Sequence, residues 1–295
     1  MMETDKLQTE KRNDKTRELD LLSVKEIVAL MNEEDLNVYQ TIKEAREDIA
    51  ELINASIDAY NHGGRIIYMG AGTSGRLGLM DAVEVVPTYN SDRFTGLIAG
   101  GEMAFVKAVE GAEDSKELAV SDLKNLGLCD RDMVIGIAAS GRTPYVIGGL
   151  EYAHSIGCVT GCVCCNKDTP IGKVSDHKVE VDAGPEVLTG STRLKSGTYQ
   201  KIILNMISTI TMIKVGKVYG NLMVDVKATN EKLVERCHRI VMEATGCTYE
   251  EAADALKQTG NHCKTAIVMI LLGLSQEEAL KRLEEASGNI RKAIG

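Results

Sequence analysis

Three stretches of this sequence gather glycines and hydroxyl side chains at spacings that could hold an anion. The first is Gly70-Ala71-Gly72-Thr73-Ser74-Gly75, and the second is Ala139-Ser140-Gly141-Arg142-Thr143-Pro144. The third runs from Thr189 through Gly190, Ser191, Thr192 and Lys195 to Thr198. Glycine lets the backbone approach a ligand closely, and the first turn of a helix presents N–H groups with no partner inside the helix. Hydroxyls beside such a turn make it a cradle for a phosphate. The candidate binding residues are therefore Gly72, Thr73 and Ser74, then Ser140, Gly141 and Thr143, then Ser191, Thr192 and Lys195. One hydroxyl-rich turn is explained by helix capping alone. Three placed alike point to a shared pocket for a phosphorylated small molecule.

Two nucleotide readings fit poorly. No Lys follows the first glycines as a nucleoside-triphosphate loop requires, and Gly70, Gly72 and Gly75 match the dinucleotide fingerprint by spacing only. A dinucleotide site also wants an acidic residue after the next strand, but that strand, near Phe94 to Ala99, runs into Gly100-Gly101.

The elements that must position these turns alternate. Apolar, β-branched runs predict strands at Ile66–Met69, Thr95–Ala99, Met133–Ala138, Cys158–Cys164 and Lys178–Val181. Helical stretches separate them at Leu77–Val86, Met103–Val109, Ser115–Leu126 and Pro144–Ser155, where Pro144 suits a first helical turn. The alternation predicts an α/β fold with a parallel sheet covered on both faces, and the hydroxyl-rich turns then lie at the carboxyl ends of the strands, where such sheets bind ligands. Before the first strand, Ser23 to Tyr60 has helical periodicity. A long helix is expected from about Lys195 to Val218, and after Gly220 only short helices punctuated by Gly246, Gly260, Gly273 and Gly288.

Composition narrows the class. The chain has 295 residues, of which 44% are hydrophobic and 26% charged, the balance of an ordinary globular protein. With no Trp and two Phe, its core must be aliphatic. A net charge of −9 argues against a nucleic-acid or anionic-membrane partner. No apolar run reaches the roughly 20 residues needed to span a bilayer, and the polar Met1 to Asp20 carries no signal-peptide core. Four of the eight cysteines, Cys158, Cys162, Cys164 and Cys165, fall in one apolar run. They lack separated C-x-x-C pairs, so they read as core thiols with no metal. Reduced thiols imply a cytoplasmic protein.

At this level the sequence resembles a known family. Gly72-Thr73-Ser74 with Ala139-Ser140-Gly141-Arg142-Thr143 resembles the sugar isomerase (SIS) domain. Thr9-Glu10-Lys11-Arg12-Asn13, Ile66 to Gly78, Leu97 to Glu102, Ala108 to Asp114 and Leu188 to Gly197 resemble the N-acetylmuramic acid 6-phosphate etherase family over nearly the whole chain. The resemblance implies a parallel-sheet SIS domain, three-layer α/β/α, at 55–220, after a helical segment at 1–54 and before a helical, UBA-like domain at 221–295. It implies a cytoplasmic, homodimeric lyase of amino-sugar catabolism in cell-wall recycling, acting without metal or cofactor. Such an enzyme opens the sugar to its aldehyde, removes the C2 proton, expels D-lactate from C3 and adds water, giving N-acetylglucosamine 6-phosphate. By the same resemblance Glu84 protonates the leaving lactate oxygen and Glu113 works near C2 and the water. These residue types suit the chemistry, since a poor ether leaving group needs an acid and a weakly acidic C–H needs a base.

The sequence departs from the family beside Glu84. Val83, Val85 and Val86 stand where Ser and Cys-Pro are common, which either favours the protonated acid or reflects different packing. Glu84 also lies ten residues beyond Ser74, about 15 Å along an uninterrupted helix. Either that helix breaks early, near Gly78, or Glu84 serves a partner subunit's pocket. Competing functions are an aldose–ketose phosphosugar isomerase, which needs one base, and a non-catalytic phosphosugar sensor similar to the glucokinase regulatory protein.

Overall fold

The computed structural model describes residues 7–107, 109–228 and 230–295. Short 3-10 turns at Gln8–Glu10, Asp14–Thr16 and Leu19–Leu21 lead into α1 (Val24–Glu44) and α2 (Arg46–Asn61). A capping box, Ser23 with Glu26, starts α1. There follow β1 (Ile66–Gly70), α3 (Gly72–Tyr89), β2 (Phe94–Ile98), α4 (Met103–Val106), α5 (Lys116–Asn125), β3 (Met133–Ala138) and α6 (Pro144–Ser155). Then come β4 (Val159–Cys164), α7 (Pro170–Lys173), β5 (His177–Glu180) and α8 (Lys195–Lys214). The chain ends in α9 (Glu231–Thr245), α10 (Tyr249–Gln258), α11 (Cys263–Leu272), α12 (Gln276–Glu285) and α13 (Ile290–Ile294).

The five strands form one parallel sheet in the order β2-β1-β3-β4-β5. β1 and β3 are neighbours, with Gly70 opposite Ile137, and the chain leaves them toward opposite edges. That switch point is where open α/β sheets bind ligands. On one face Ile67, Met69, Val134, Cys162 and Cys164 pack with Leu123 of α5 and Val146 and Leu150 of α6. On the other, α2 and α3 lie so close that two glycines stand at the contacts: Gly161 beneath Leu52, and Gly78, where a methyl group would sit 3.0 Å from Tyr68 Cβ. The three-layer α/β/α sandwich expected from the alternation is present. The cysteine run is core strand, with Cys158, Cys162, Cys164 and Cys165 all buried and unbridged.

The chain divides into two units, one of residues up to Val83 with Arg93–Ser208, the other of Glu84–Asp92 with Thr209–Gly295. The N-terminal helices thus belong with the sheet. The second unit has its own core, in which Cys237, Val241, Leu256, Ile267, Val268 and Leu283 are buried. Its centre is α11, whose residues Cys263 to Met269 are all buried. Thr248 with Glu251 and Ser275 with Glu278 form capping boxes, and Gly246 and Gly273 close helices in the left-handed conformation. No helix is long and apolar enough to cross a membrane among the described residues.

Candidate functional site

The β1 turn opens directly into α3, at Gly72 rather than at the expected Leu77, because its glycines let helix and strand touch. A methyl group at Gly75 would sit 2.7 Å from Gly70 O and from Ile98 Cγ1, and one at Gly70 2.7 Å from Gly75 N. Those glycines serve packing. Gly72 differs, with φ +52° and open space where a side chain would stand, so it is the position that a ligand can approach. Thr73 is half-buried, and its Cγ2 lies 3.6 Å from where a side chain on Gly197 would begin. The first turn of α8 therefore abuts the first turn of α3. Ser74 is buried and its hydroxyl donates to Gln200 Oε1 at 2.9 Å.

The second turn is built differently. Gly141, at φ +68°, is pressed against Thr169 so tightly that no larger residue fits. Ser140 Oγ accepts from Arg142 N at 3.3 Å, so its own proton is left to donate. Thr143 occupies the N-cap of α6 but its side chain makes no capping bond. Capping does not use up that hydroxyl.

In the third cluster Lys195 is buried and its Nζ is ion-paired with Glu34 Oε2 at 2.9 Å. Glu34 also accepts from Asn13 Nδ2 at 2.8 Å and pairs with Lys15 at 3.0 Å. Burial works to raise the Glu34 carboxyl, but these cations and Asn13 hold it below the usual glutamate range. The first N–H groups of α8 are taken as well. Glu186, fully buried, accepts from Lys195 N, Ser196 N and Ser196 Oγ at 2.8–2.9 Å. Ser191 and Thr192 are half-buried in the loop before α8.

The N-terminal segment is stitched to the same end of the sheet. Asn166, after β4, donates to Thr9 Oγ1 and to Ala139 O, each at 3.0 Å, and accepts from Gln8 N at 2.9 Å. A cavity of about 450 Å³ lies among Arg12, Thr16, Asp20, Leu188 and Thr189. Asn13, Glu34, Asn166 and Glu186 tie these loops to one another. Apart from Asn13, which also accepts from Lys15 N two residues on, they bond partners 9 to 161 residues away, so no local pattern in the sequence announces them.

Glu113 sits in a 3-10 turn, Ala112–Asp114, exposed to solvent. With Ala71, Gly72, Arg76 and Glu110 it lines a cavity of about 200 Å³ at the start of α3. Arg76 Nε and Nη2 donate to Phe105 O and Ala104 O at 2.9 and 2.8 Å, holding α4 over the helix. Glu84 is not among the residues that line this cavity. It is exposed, far along α3, which runs unbroken from Gly72 to Tyr89. The helix does not break at Gly78, where the glycine packs on Tyr68 and Ile137. Val83 and Val86 are exposed beside Glu84, and Val85 packs inward.

A family model described as the glucokinase regulatory protein N-terminal SIS domain matches residues 48–154. The solved structure of Escherichia coli CFT073 c3406 superposes with a TM-score of 0.51 at 17% identity, over 65% of this chain and 93% of that one. That likeness is one of fold. Curated relatives named N-acetylmuramic acid 6-phosphate etherase are far closer. The Exiguobacterium sp. (strain AT1b) protein is 56% identical over 98% of this chain and 99% of its own length. Its counterpart in Bacillus thuringiensis subsp. konkukian is also 56% identical over 98% of this chain and 99% of its own length, and that of Geobacillus sp. (strain WCH70) is 57% identical with the same coverage. Identity of that degree, over sheet and helical tail alike, makes this chain a member of the N-acetylmuramic acid 6-phosphate etherase family.

Proposed function

We propose that the chain cleaves the D-lactyl ether of N-acetylmuramic acid 6-phosphate, giving N-acetylglucosamine 6-phosphate and D-lactate. One observation carries this reading: the cavity at the carboxyl ends of β1 and β2 has the Glu113 carboxylate and the N-terminus of α3 at Gly72 in the same lining. Phosphate oxygens would take N–H groups of that turn together with the hydroxyls of Thr73, Ser74, Ser140 and Thr143. Ser191 and Thr192 would complete the wall. Glu113 takes the C2 proton of the open-chain sugar, made acidic by the adjacent aldehyde. Glu84 gives its proton to the ether oxygen as the C3–O bond breaks, and lactate leaves. Water then adds across the double bond, hydroxyl to C3 and proton to C2. An isomerase would need no second acid, and the regulatory-protein model covers only the SIS portion of the chain.

The active form is a homodimer in which Glu84 acts in the partner's pocket. The unbroken α3 supports this, because it carries Glu84 about 15 Å from Ser74. So do the exposed apolar side chains on α1 (Val24, Val28, Leu36, Tyr39) and on α3 (Met80, Val83), which need a covering surface. Eight unbridged cysteines suit the reducing cytoplasm. Residues 221–295 then form the UBA-like helical domain and 55–220 the SIS domain.

The test incubates the protein with N-acetylmuramic acid 6-phosphate and measures D-lactate. Glu113→Gln and Glu84→Gln should each lower kcat by ~10²–10⁴-fold while binding N-acetylglucosamine 6-phosphate nearly as the parent does. Activity within threefold of the parent removes that residue from the mechanism. Mixing and refolding Glu84→Gln with Ser140→Ala chains should restore activity, since one site of the heterodimer collects both defects and the other is intact. No recovery with heterodimers demonstrably present places Glu84 in its own chain's site.

A further inference from the structure

We propose that Gln200 is a positioning residue that sets the direction of the Ser74 hydroxyl proton, and through it whether that hydroxyl donates to a bound phosphate. The inference rests on the assignment of Ser74 to the phosphate made above. A serine hydroxyl has one proton and two lone pairs. In the structure the Ser74 proton goes to Gln200 Oε1, 2.9 Å away. That leaves only lone pairs for a ligand, and lone pairs repel phosphate oxygens. Ser140 is the opposite case: its Oγ accepts from Arg142 N and keeps its proton to give. Two hydroxyls on adjacent strand ends are thus set with opposite polarity.

Gln200 is 1% exposed and Ser74 8%, so water does not compete for either group. Gln200 Nε2 is buried without a hydrogen-bond partner, a cost that folded chains rarely carry. The Cys165 sulfur, a weak acceptor, lies beside the amide. Turning the amide over exchanges Nε2 and Oε1. Nε2 then donates to Ser74 Oγ, gaining the partner it lacks, and the Ser74 proton is released toward the ligand. Both arrangements use the same atoms and neither moves the backbone. A bound dianion favours the second because only there does Ser74 donate, and differential interaction is what shifts such an equilibrium. Gly197, one turn earlier on α8 and against Thr73, brings Gln200 to this position.

The test compares N-acetylglucosamine 6-phosphate with N-acetylglucosamine by calorimetry, and KM with kcat for the lyase reaction. Gln200→Glu in its ionised form offers only acceptors and holds the Ser74 proton. It should weaken the phosphorylated sugar at least about tenfold, the low end for a lost hydrogen bond to a charge, and raise KM alike. The unphosphorylated sugar and kcat should stay within threefold. Gln200→Met frees the proton and should keep both affinities within threefold. In a Ser74→Ala background, Gln200→Glu should cost less than threefold more. A double variant tenfold weaker than Ser74→Ala means that the new charge acts directly, and the proposal is wrong. If the buried carboxylate unfolds the chain, Gln200→Met decides alone, because a tenfold loss confined to the phosphorylated sugar overturns the idea. Phosphate affinity unchanged by Ser74→Ala defeats the Ser74 assignment itself, whereas a Ser74 effect without coupling defeats only the role of Gln200.

Discussion

Replacing Lys195 by Met separates a structural cation from a ligand-binding one. The ammonium and the Glu34 carboxylate are both at most 5% exposed and 2.9 Å apart, and removing one member of a buried pair costs ~3–5 kcal/mol because the other is left uncompensated. Lys15 still faces Glu34 from the half-exposed side at 3.0 Å and Asn13 still donates, so the lower end, about 3 kcal/mol, applies. For a unit of this size each kcal/mol moves Tm by roughly 2–4 °C, hence a fall of roughly 6–12 °C. Adding Glu34→Gln removes the stranded charge while its amide oxygen keeps Asn13, and should recover most of the loss. Urea unfolding of the four chains near neutral pH measures this. KM measured on the folded fraction should stay within threefold. A Lys195→Met protein as stable as the parent but with KM raised tenfold would refute the structural assignment and return Lys195 to the ligand.

Two further outcomes are expected. Gly75→Ala should destabilise by ~1–3 kcal/mol, because its methyl group meets Gly70 O and Ile98 Cγ1 at 2.7 Å; an unchanged urea midpoint would mean that the helix and strand can part without cost. Asp132 is buried against Arg65, with Nη2 to Oδ2 at 2.6 Å; burial opposes its charge, but Arg65 and the Cys129 N–H hold the carboxyl below the usual aspartate range. A depressed folded value means that its stabilisation is present above the unfolded value of about 4 and is lost as pH falls through the folded value, so the gap between parent and Asp132→Asn in urea midpoint should narrow as the pH is taken progressively below about 4. A gap independent of pH would show that Asp132 acts by packing.

The strands are legible to within a residue or two because β1 to β4 are short, largely apolar runs bounded by turn residues, and the sheet's burial demands that pattern. α3 starts at Gly72, five residues before the expected Leu77. Gly-Thr-Ser-Gly has loop propensity, and only close packing of Gly70 on Gly75 turns it helical. The break at Ala45 between α1 and α2 has no glycine or proline to announce it. Ile267 and Val268 are covered by their own unit's core. Residue type marks the hydroxyls as candidates for the site, but it does not say which of them have a proton to give. That depends on Arg142 N for Ser140 and on Gln200, 126 residues distant, for Ser74.

The stitching of the N-terminal segment has a consequence for the order of folding. Gln8 closes on Asn166 across 158 residues, and Glu34 on Lys195 across 161. During synthesis this segment must therefore wait for the β4 end and for α8 before it finds its partners. Loops of that span form late and slowly. Nascent chains halted before Lys195 emerges should leave the segment around Thr9–Asn13 open to protease, and chains extended past α8 should protect it, so that a segment made well before the sheet is among the last to be fixed.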